Sequence, residues 1–283
     1  MKSKVLALAI FLAATSVAAA QSIDDASLKD RLSTGIQVGA HRGGALSGRG
    51  NTMTQFKQAV IDGAGIVETD LRVTKDGVVV VYHDERLEKA TNCRGKVSDF
   101  KFSELSNCRF KTNSEIIPTF EELLRWSVKN VVIAPEFKTP DAIRPAIDLV
   151  QKYKAVEWVY FQTQELKSNY EKVRTLAPDV NLIYYALRKA DVRWALTLGD
   201  PRLIAIELNP RLHNQKIVRE VQAAGKLASA NSFQVSPDEE RSGVASCDIL
   251  FELGFDIAIT DQVKDCTRQR DIRSGASSSM QSF

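Results

Sequence analysis

Beyond its first twenty residues this 283-residue chain has no apolar run of the roughly 18–20 residues that a membrane-spanning helix requires. It has little excess of either charge, since 38 Lys and Arg stand against 35 Asp and Glu. The basic residues are scattered, so there is no nucleic-acid footprint, and an anionic substrate would have to be held by a local site. With 8 Pro and 15 Gly, the chain is neither collagen-like nor of low complexity, and it shows no internal repeat. There is no G-x-S-x-G elbow, no P-loop and no G-x-G-x-x-G opening a helix. The serine-hydrolase, nucleotide-phosphate and dinucleotide chemistries therefore lack their motifs. None of the 4 Cys has the C-x-x-C spacing of a zinc or redox site, and there are only 3 His.

What the chain does have begins with its N-terminus. Lys2 and Lys4 precede an apolar run over 5–20 that ends Ala18-Ala19-Ala20, the pattern of a cleaved secretory signal peptide. No cysteine lies at that cleavage site to accept a lipid, so the expectation is a secreted or periplasmic protein without stable membrane insertion. Cys93, Cys108, Cys247 and Cys266 all fall in the exported part, and an even number there suggests two disulfides. Three connectivities are possible; pairing of neighbours, Cys93 with Cys108 and Cys247 with Cys266, is the one expected.

Between residues 36 and 262, β-branched runs alternate with amphipathic stretches such as 52–62 and 119–127. Strands are expected at 36–40, 66–74, 78–82, 131–136, 158–162, 181–185, 203–208, 226–229 and 256–260. Most are continuous apolar runs, as in strands buried on both faces of a parallel sheet. One connection cannot be parallel: only Lys75-Asp76-Gly77 precedes the run at 78–82, and Asp-Gly is a hairpin signal. Setting that hairpin aside leaves eight strands, the number of a (β/α)8 TIM barrel, an α/β fold; an open doubly wound sheet is the alternative. Residues 21–35 read as a lead-in and 84–118, with two cysteines and few apolar runs, as an inserted, disulfide-stapled loop region. Residues 263–283, charged and then Ser-rich, read as a flexible tail.

The residues able to do chemistry cluster at strand ends. His41 follows the first strand and His83 the hairpin strand, and the C-terminal strand ends form a barrel's reaction face. Glu68 and Asp70 sit at i and i+2, so they share one face of a strand where like charges repel without a cation. Glu136 ends another apolar strand, and three carboxylates without a soft ligand suit a hard divalent cation, Mg2+ or Ca2+. Salt bridges to Arg42, Arg72 and Lys138 are the alternative use for them. With the turn centred on Asp76, Thr74 faces Val78, Arg72 faces Val80 and Asp70 faces Tyr82, which brings His83 beside the acidic pair. Glu207 faces either the pocket or an ion-pair partner, His213 reads as solvated, and Asn51 reads as a helix N-cap.

The ordered set His41-Arg42-Gly43, Asn51-Thr52, Phe56, Glu68-Thr69-Asp70, Thr74-Lys75-Asp76-Gly77, His83-Asp84, Pro118-Thr119 and Glu136-Phe137-Lys138 resembles the glycerophosphodiester phosphodiesterases. The match covers residues 38–138 well, and Ile259-Thr260-Asp261 resembles that family's closing strand. The resemblance implies a TIM barrel that hydrolyses glycerophosphodiesters to glycerol 3-phosphate and an alcohol with a bound divalent cation. It implies His41 and His83 as the acid–base pair, Glu68, Asp70 and Glu136 as metal ligands, and Arg42 and Lys138 on the phosphate. The partner implied is a small-molecule diester; related secreted barrels that act as phospholipase D-type enzymes on lysolipids or sphingolipids supply an alternative substrate. A non-catalytic exported binding protein is the alternative of another class. One departure is Arg49-Gly50 before Asn51-Thr52, where the family usually has Pro-Glu. Oligomeric state is not legible.

Overall fold

A computed structural model describes residues 26–44, 50–163 and 167–275. The expected signal peptide, Arg49 and the last eight residues lie outside the described residues. Every expected strand forms, as β1 (Gln37–Ala40), β2 (Ile66–Val73), β3 (Val79–Val81), β4 (Val132–Phe137), β5 (Tyr160–Gln162), β6 (Asn181–Ala186), β7 (Leu203–Leu208), β8 (Leu227–Asn231) and β9 (Ile257–Thr260). Eight pair in parallel in the order β1-β9-β8-β7-β6-β5-β4-β2, and β2 pairs back with β1, closing a barrel. This is a TIM barrel, not an open sheet. β3 pairs antiparallel with β2, with Arg72 opposite Val80, as the three-residue turn requires.

Alternate residues along the strands go to two different cores. Ile66, Val132, Tyr160, Ile183, Leu227, Ile257 and Ile259 fill the barrel interior. Val67, Ile133, Phe161, Leu182, Ile206, Ala228 and Ala258 belong to the larger core shared with the surrounding helices. Leu28 and Leu32 of a short helix join the interior group and are almost wholly buried, so the 21–35 lead-in is in part a plug for the barrel. The amide of Leu28 holds it there by donating to Glu157 Oε2 at 2.7 Å.

The inserted region 84–118 has a core of its own. Its apolar residues follow no helical or strand period, yet Leu87, Ala90, Val97, Leu105, Phe110 and Ile117 converge on Val80 and Tyr82 of the hairpin. The Tyr82 hydroxyl donates to the Leu87 carbonyl at 2.8 Å and accepts from the Ala90 amide at 3.2 Å. The Cys93–Cys108 disulfide closes this region.

Two expectations fail here. Residues 263–273 are not a flexible tail but the helix Val263–Arg273, with Val263, Cys266 and Thr267 buried. The physical reason is the Cys247–Cys266 disulfide, which ties this charged helix to helix Cys247–Leu253. The Thr267 hydroxyl also donates to the Asp62 carbonyl at 2.9 Å. His213 is not solvated: it is half-buried, its Nε2 lies 2.9 Å from the Leu208 carbonyl, and it meets Phe255 edge-on.

A disulfide spanning this many residues constrains the unfolded chain by about 3 kcal/mol. The double substitution Cys247→Ser with Cys266→Ser is therefore expected to lower unfolding free energy by about that much without preventing folding. Urea unfolding under non-reducing conditions checks this; an unchanged midpoint would mean that packing alone docks the last helix.

Candidate active site

The site is built by strand register. β2 pairs with β4 so that Glu68 lies opposite Ala134 and Asp70 opposite Glu136, which places three carboxylates on adjacent strands facing the barrel mouth. One oxygen from each lies within 4.8 Å of the others. β1 pairs with β9 so that Ala40 lies opposite Thr260, and the next residues, His41 and Asp261, emerge side by side. His41 Nδ1 is 2.7 Å from Asp261 Oδ1, and its Nε2 is 4.0 Å from Glu68 Oε2. Phe233, after β8, stacks on the imidazole with ring centres 4.4 Å apart.

The turn after β1 is shaped around the carboxylates. Arg42 has a left-handed backbone (φ 53°), from which its amide donates to Glu68 Oε2 at 2.9 Å. Left-handed non-glycine residues store strain and persist where the surroundings hold them. Gly50 does part of the holding: a Cβ there would stand 2.5 Å from the Arg42 carbonyl oxygen, so only glycine fits. Asn51, also left-handed (φ 65°), is not the helix cap that the sequence suggests. Thr52 caps helix Met53–Ile61, and Asn51 turns inward instead. Its Nδ2 donates to Asp70 Oδ2 at 2.6 Å, and its Oδ1 accepts from the Thr69 hydroxyl at 2.9 Å.

Two cations share the acidic cluster. Lys138 Nζ lies 3.0 Å from Asp70 Oδ1 and 2.5 Å from Glu136 Oε1, and Arg42 Nε lies 3.2 Å from Asp70 Oδ2. Burial opposes ionisation of Asp70, but Lys138, Arg42, His83 and the Asn51 hydrogen bond outweigh it and hold this carboxyl below the usual range. Burial likewise opposes the charge on Lys138, and Asp70 with Glu136 reverse that. Glu68 is the group left over. Its burial, with Asp70 and then Glu136 beside it, pushes its pKa well up against the Arg42 amide.

His83 lies where the hairpin was expected to put it. The Tyr82 amide donates to the Asp70 carbonyl at 2.9 Å, and both Arg72 Nε and Nη2 donate to the His83 carbonyl. The ring is within electrostatic reach of Asp70, Arg42 and Lys138, and its burial lowers its pKa below the ordinary histidine value. His41, Arg42, Glu68 and Glu136 line a cavity of 290 Å³ at the barrel mouth, together with Glu207. Asp70, which is 1% exposed, and His83 are not in its lining. Of the two readings left open for Glu207, the structure supports the pocket.

A family model for the glycerophosphoryl diester phosphodiesterases matches residues 41–264. The chain belongs to this family. Bacillus subtilis YqiK is 36% identical over 240 residues, covering 80% of this chain and 94% of that protein. A glycerophosphodiester phosphodiesterase of Caldanaerobacter subterraneus is 28% identical over 235 residues, 78% of this chain and 92% of that one. Among solved structures, an Oleispira antarctica phosphodiesterase in complex with the product sn-glycerol-3-phosphate superposes with a TM-score of 0.68 at 19% identity, over 85% of this chain and 99% of that one.

The acidic cluster of this family member fits a hard divalent cation. All its ligand atoms are carboxylate oxygens, and two oxygens at bonding distance from one Ca2+ are at most about 5 Å apart. Burial first, and then the neighbouring Asp70 and Glu136, disfavour the charged form of Glu68, a cost that a bound cation would offset. Two site residues escaped the sequence reading. Asp261 was matched only as part of a closing strand, and Phe233 carried no signal at all. Millimolar Mg2+ or Ca2+ is expected to raise the unfolding temperature of the protein, by linkage worth about 2.7 kcal/mol at a hundredfold excess over Kd. Asp70→Asn should abolish the increment; a shift of the same size in that variant would place the ion elsewhere.

Proposed function

We propose that this protein is an exported, metal-dependent enzyme that hydrolyses glycerophosphodiesters to glycerol 3-phosphate and an alcohol. The observation that carries this reading is the gathering of the three-carboxylate cluster, Arg42 and His41 around one cavity, in a chain of this family. The product in the Oleispira relative, sn-glycerol-3-phosphate, supports it. Export is supported by the N-terminal signal pattern and by the two disulfides.

Glu68, Asp70 and Glu136 would hold the cation. When bound, it would offset charge building on the phosphate oxygens and ease deprotonation of the attacking hydroxyl. The charge balance then favours an anion, because three carboxylates are outweighed by one divalent ion, Arg42 and Lys138 together. The surplus meets a monoanionic phosphodiester, with Arg42 gripping its oxygens and Lys138 assisting. His83, kept uncharged by burial, takes the proton of a substrate glycerol hydroxyl as that oxygen bonds to phosphorus. The bond from phosphorus to the other alcohol breaks, and His41 delivers a proton from Nε2 to the departing oxygen. Asp261 fixes the tautomer and aim of His41 by accepting from Nδ1, and Phe233 holds the ring's plane. The resulting cyclic phosphate is opened by water with the two roles exchanged.

Two predictions test this. Release of glycerol 3-phosphate from glycerophosphocholine should vanish with EDTA and return with Mg2+ or Ca2+, and the ion that restores it names the cofactor. In the restored enzyme His41→Ala and His83→Ala should each lose about 10²–10⁴-fold in rate, and near-normal activity in either would sink its assignment. The second prediction concerns pH. Protonating the base removes activity, so kcat/KM falls as pH drops through the pKa of His83. Because burial lowers that pKa, the acidic limb should have its midpoint below about 6.5, the ordinary histidine value. Choline release from lysophosphatidylcholine, in the absence of activity on the water-soluble diester, would point to the lipid substrate instead.

A further inference from the structure

The cavity has a second wall that the proposed chemistry does not use. β7 is four strands around the eight-stranded barrel from β2, so Glu207 stands across the mouth from Glu68 and Asp70. It is 6% exposed, and its Oε1 accepts from Asn231 Nδ2 at 2.7 Å. Gln162 and Tyr185 line the same cavity; Tyr185 lies opposite Glu207 in the strand register, and its hydroxyl accepts from Asn209.

Among the described residues, the buried polar atoms without a protein partner include two at or beneath this wall. One is Gln234 Oε1, on a residue that lines the cavity. The other is the hydroxyl of Tyr160, which is 1% exposed and belongs to the barrel interior. Tyr160 stands two residues before Gln162 on β5, so its side chain shares that residue's inward face, one layer beneath the cavity lining. A buried polar atom left unpaired is destabilising, so an orphan at or beneath a cavity lining points to a group that arrives from outside.

We propose that this wall binds the alcohol half of the diester and selects an uncharged polyol, such as a second glycerol or a sugar, with Glu207 as the specificity-determining side chain. This rests on the phosphodiesterase reading above. A hydroxyl group both donates and accepts, and the wall offers both: a carboxyl, the amides of Gln162, Asn231 and Gln234, and two phenols. Glu207 is buried, and burial favours the protonated form of a carboxyl, which donates as well as accepts. An apolar chain would leave Gln234 Oε1 and the Tyr160 hydroxyl without a partner. A quaternary ammonium is taken by aromatic cages, whereas Phe233 at this mouth is stacked on His41.

The test compares glycerophosphoglycerol, glycerophosphocholine and glycerophosphoethanolamine with the metal-loaded enzyme. The expected kcat/KM is at least tenfold higher for the glycerol diester. Glu207→Leu should erase that preference mainly through KM for the glycerol diester, and Glu207→Gln, which still donates and accepts, should keep it. Equal kcat/KM for the three diesters, a preference for either amine, or an equal loss on all three in Glu207→Leu would overturn the proposal. Calorimetry with the His41→Ala variant reads binding apart from turnover. Selective binding of the glycerol diester without turnover by the wild type would retire the hydrolase reading and keep the wall; equal binding of the three would remove the wall even in an active enzyme.

Discussion

Three carboxylates within 4.8 Å of one another, two buried and one partly so, are the constraint around which the barrel mouth is organised. Like charges in a low-dielectric setting repel strongly, and each also loses its hydration. The fold answers with specific partners: Lys138 across Asp70 and Glu136, Arg42 on Asp70, and an amide held to Glu68 by a strained turn. Asn51 and Gly50 make sense only in that setting, one bonding Asp70 and the other letting the turn close on Arg42. A divalent ion held among the three carboxylates would offset their mutual repulsion.

That arrangement is distributed unequally around the barrel. β2 and β4 carry the anionic cluster, β1 and β9 supply the His41–Asp261 pair, and β7 and β8 supply a hydrogen-bonding wall. A single cavity thus presents charge on one side and mixed donors and acceptors on the other. The division matches a substrate with an anionic centre and a hydroxyl-bearing arm. The inserted region packs outside this mouth on the hairpin that delivers His83, so its small core and disulfide steady the position of that histidine.

Much of this was legible locally. Glu68 and Asp70 two apart in an apolar run, the Asp-Gly turn that folds β3 back, and His83 at its end are consequences of strand period and turn length, and they needed no long-range information. The insertion's core was not legible, because Leu87, Val97, Phe110 and their neighbours share no period and meet only around Tyr82. The final helix was missed for a related reason: its composition is that of a solvated segment, and a covalent bond to Cys247 docks it. Asn51 was read as a cap because side chains such as Asn and Thr serve equally at that position, and only the left-handed turn decides that Thr52 takes it.

The sequence by itself determined which residues are strands, which strand must run antiparallel, and which charged groups sit at strand ends, because these follow from side-chain period and chain length. Only the tertiary structure decided what stands beside what across the closed sheet. Asp261 reaches His41 over 220 residues of chain because β9 pairs with β1 in one register. Glu207 faces Glu68 across the mouth because closure places β7 opposite β2. Both contacts depend on the closing of the ring, a property of all eight parallel strands together and of no local segment.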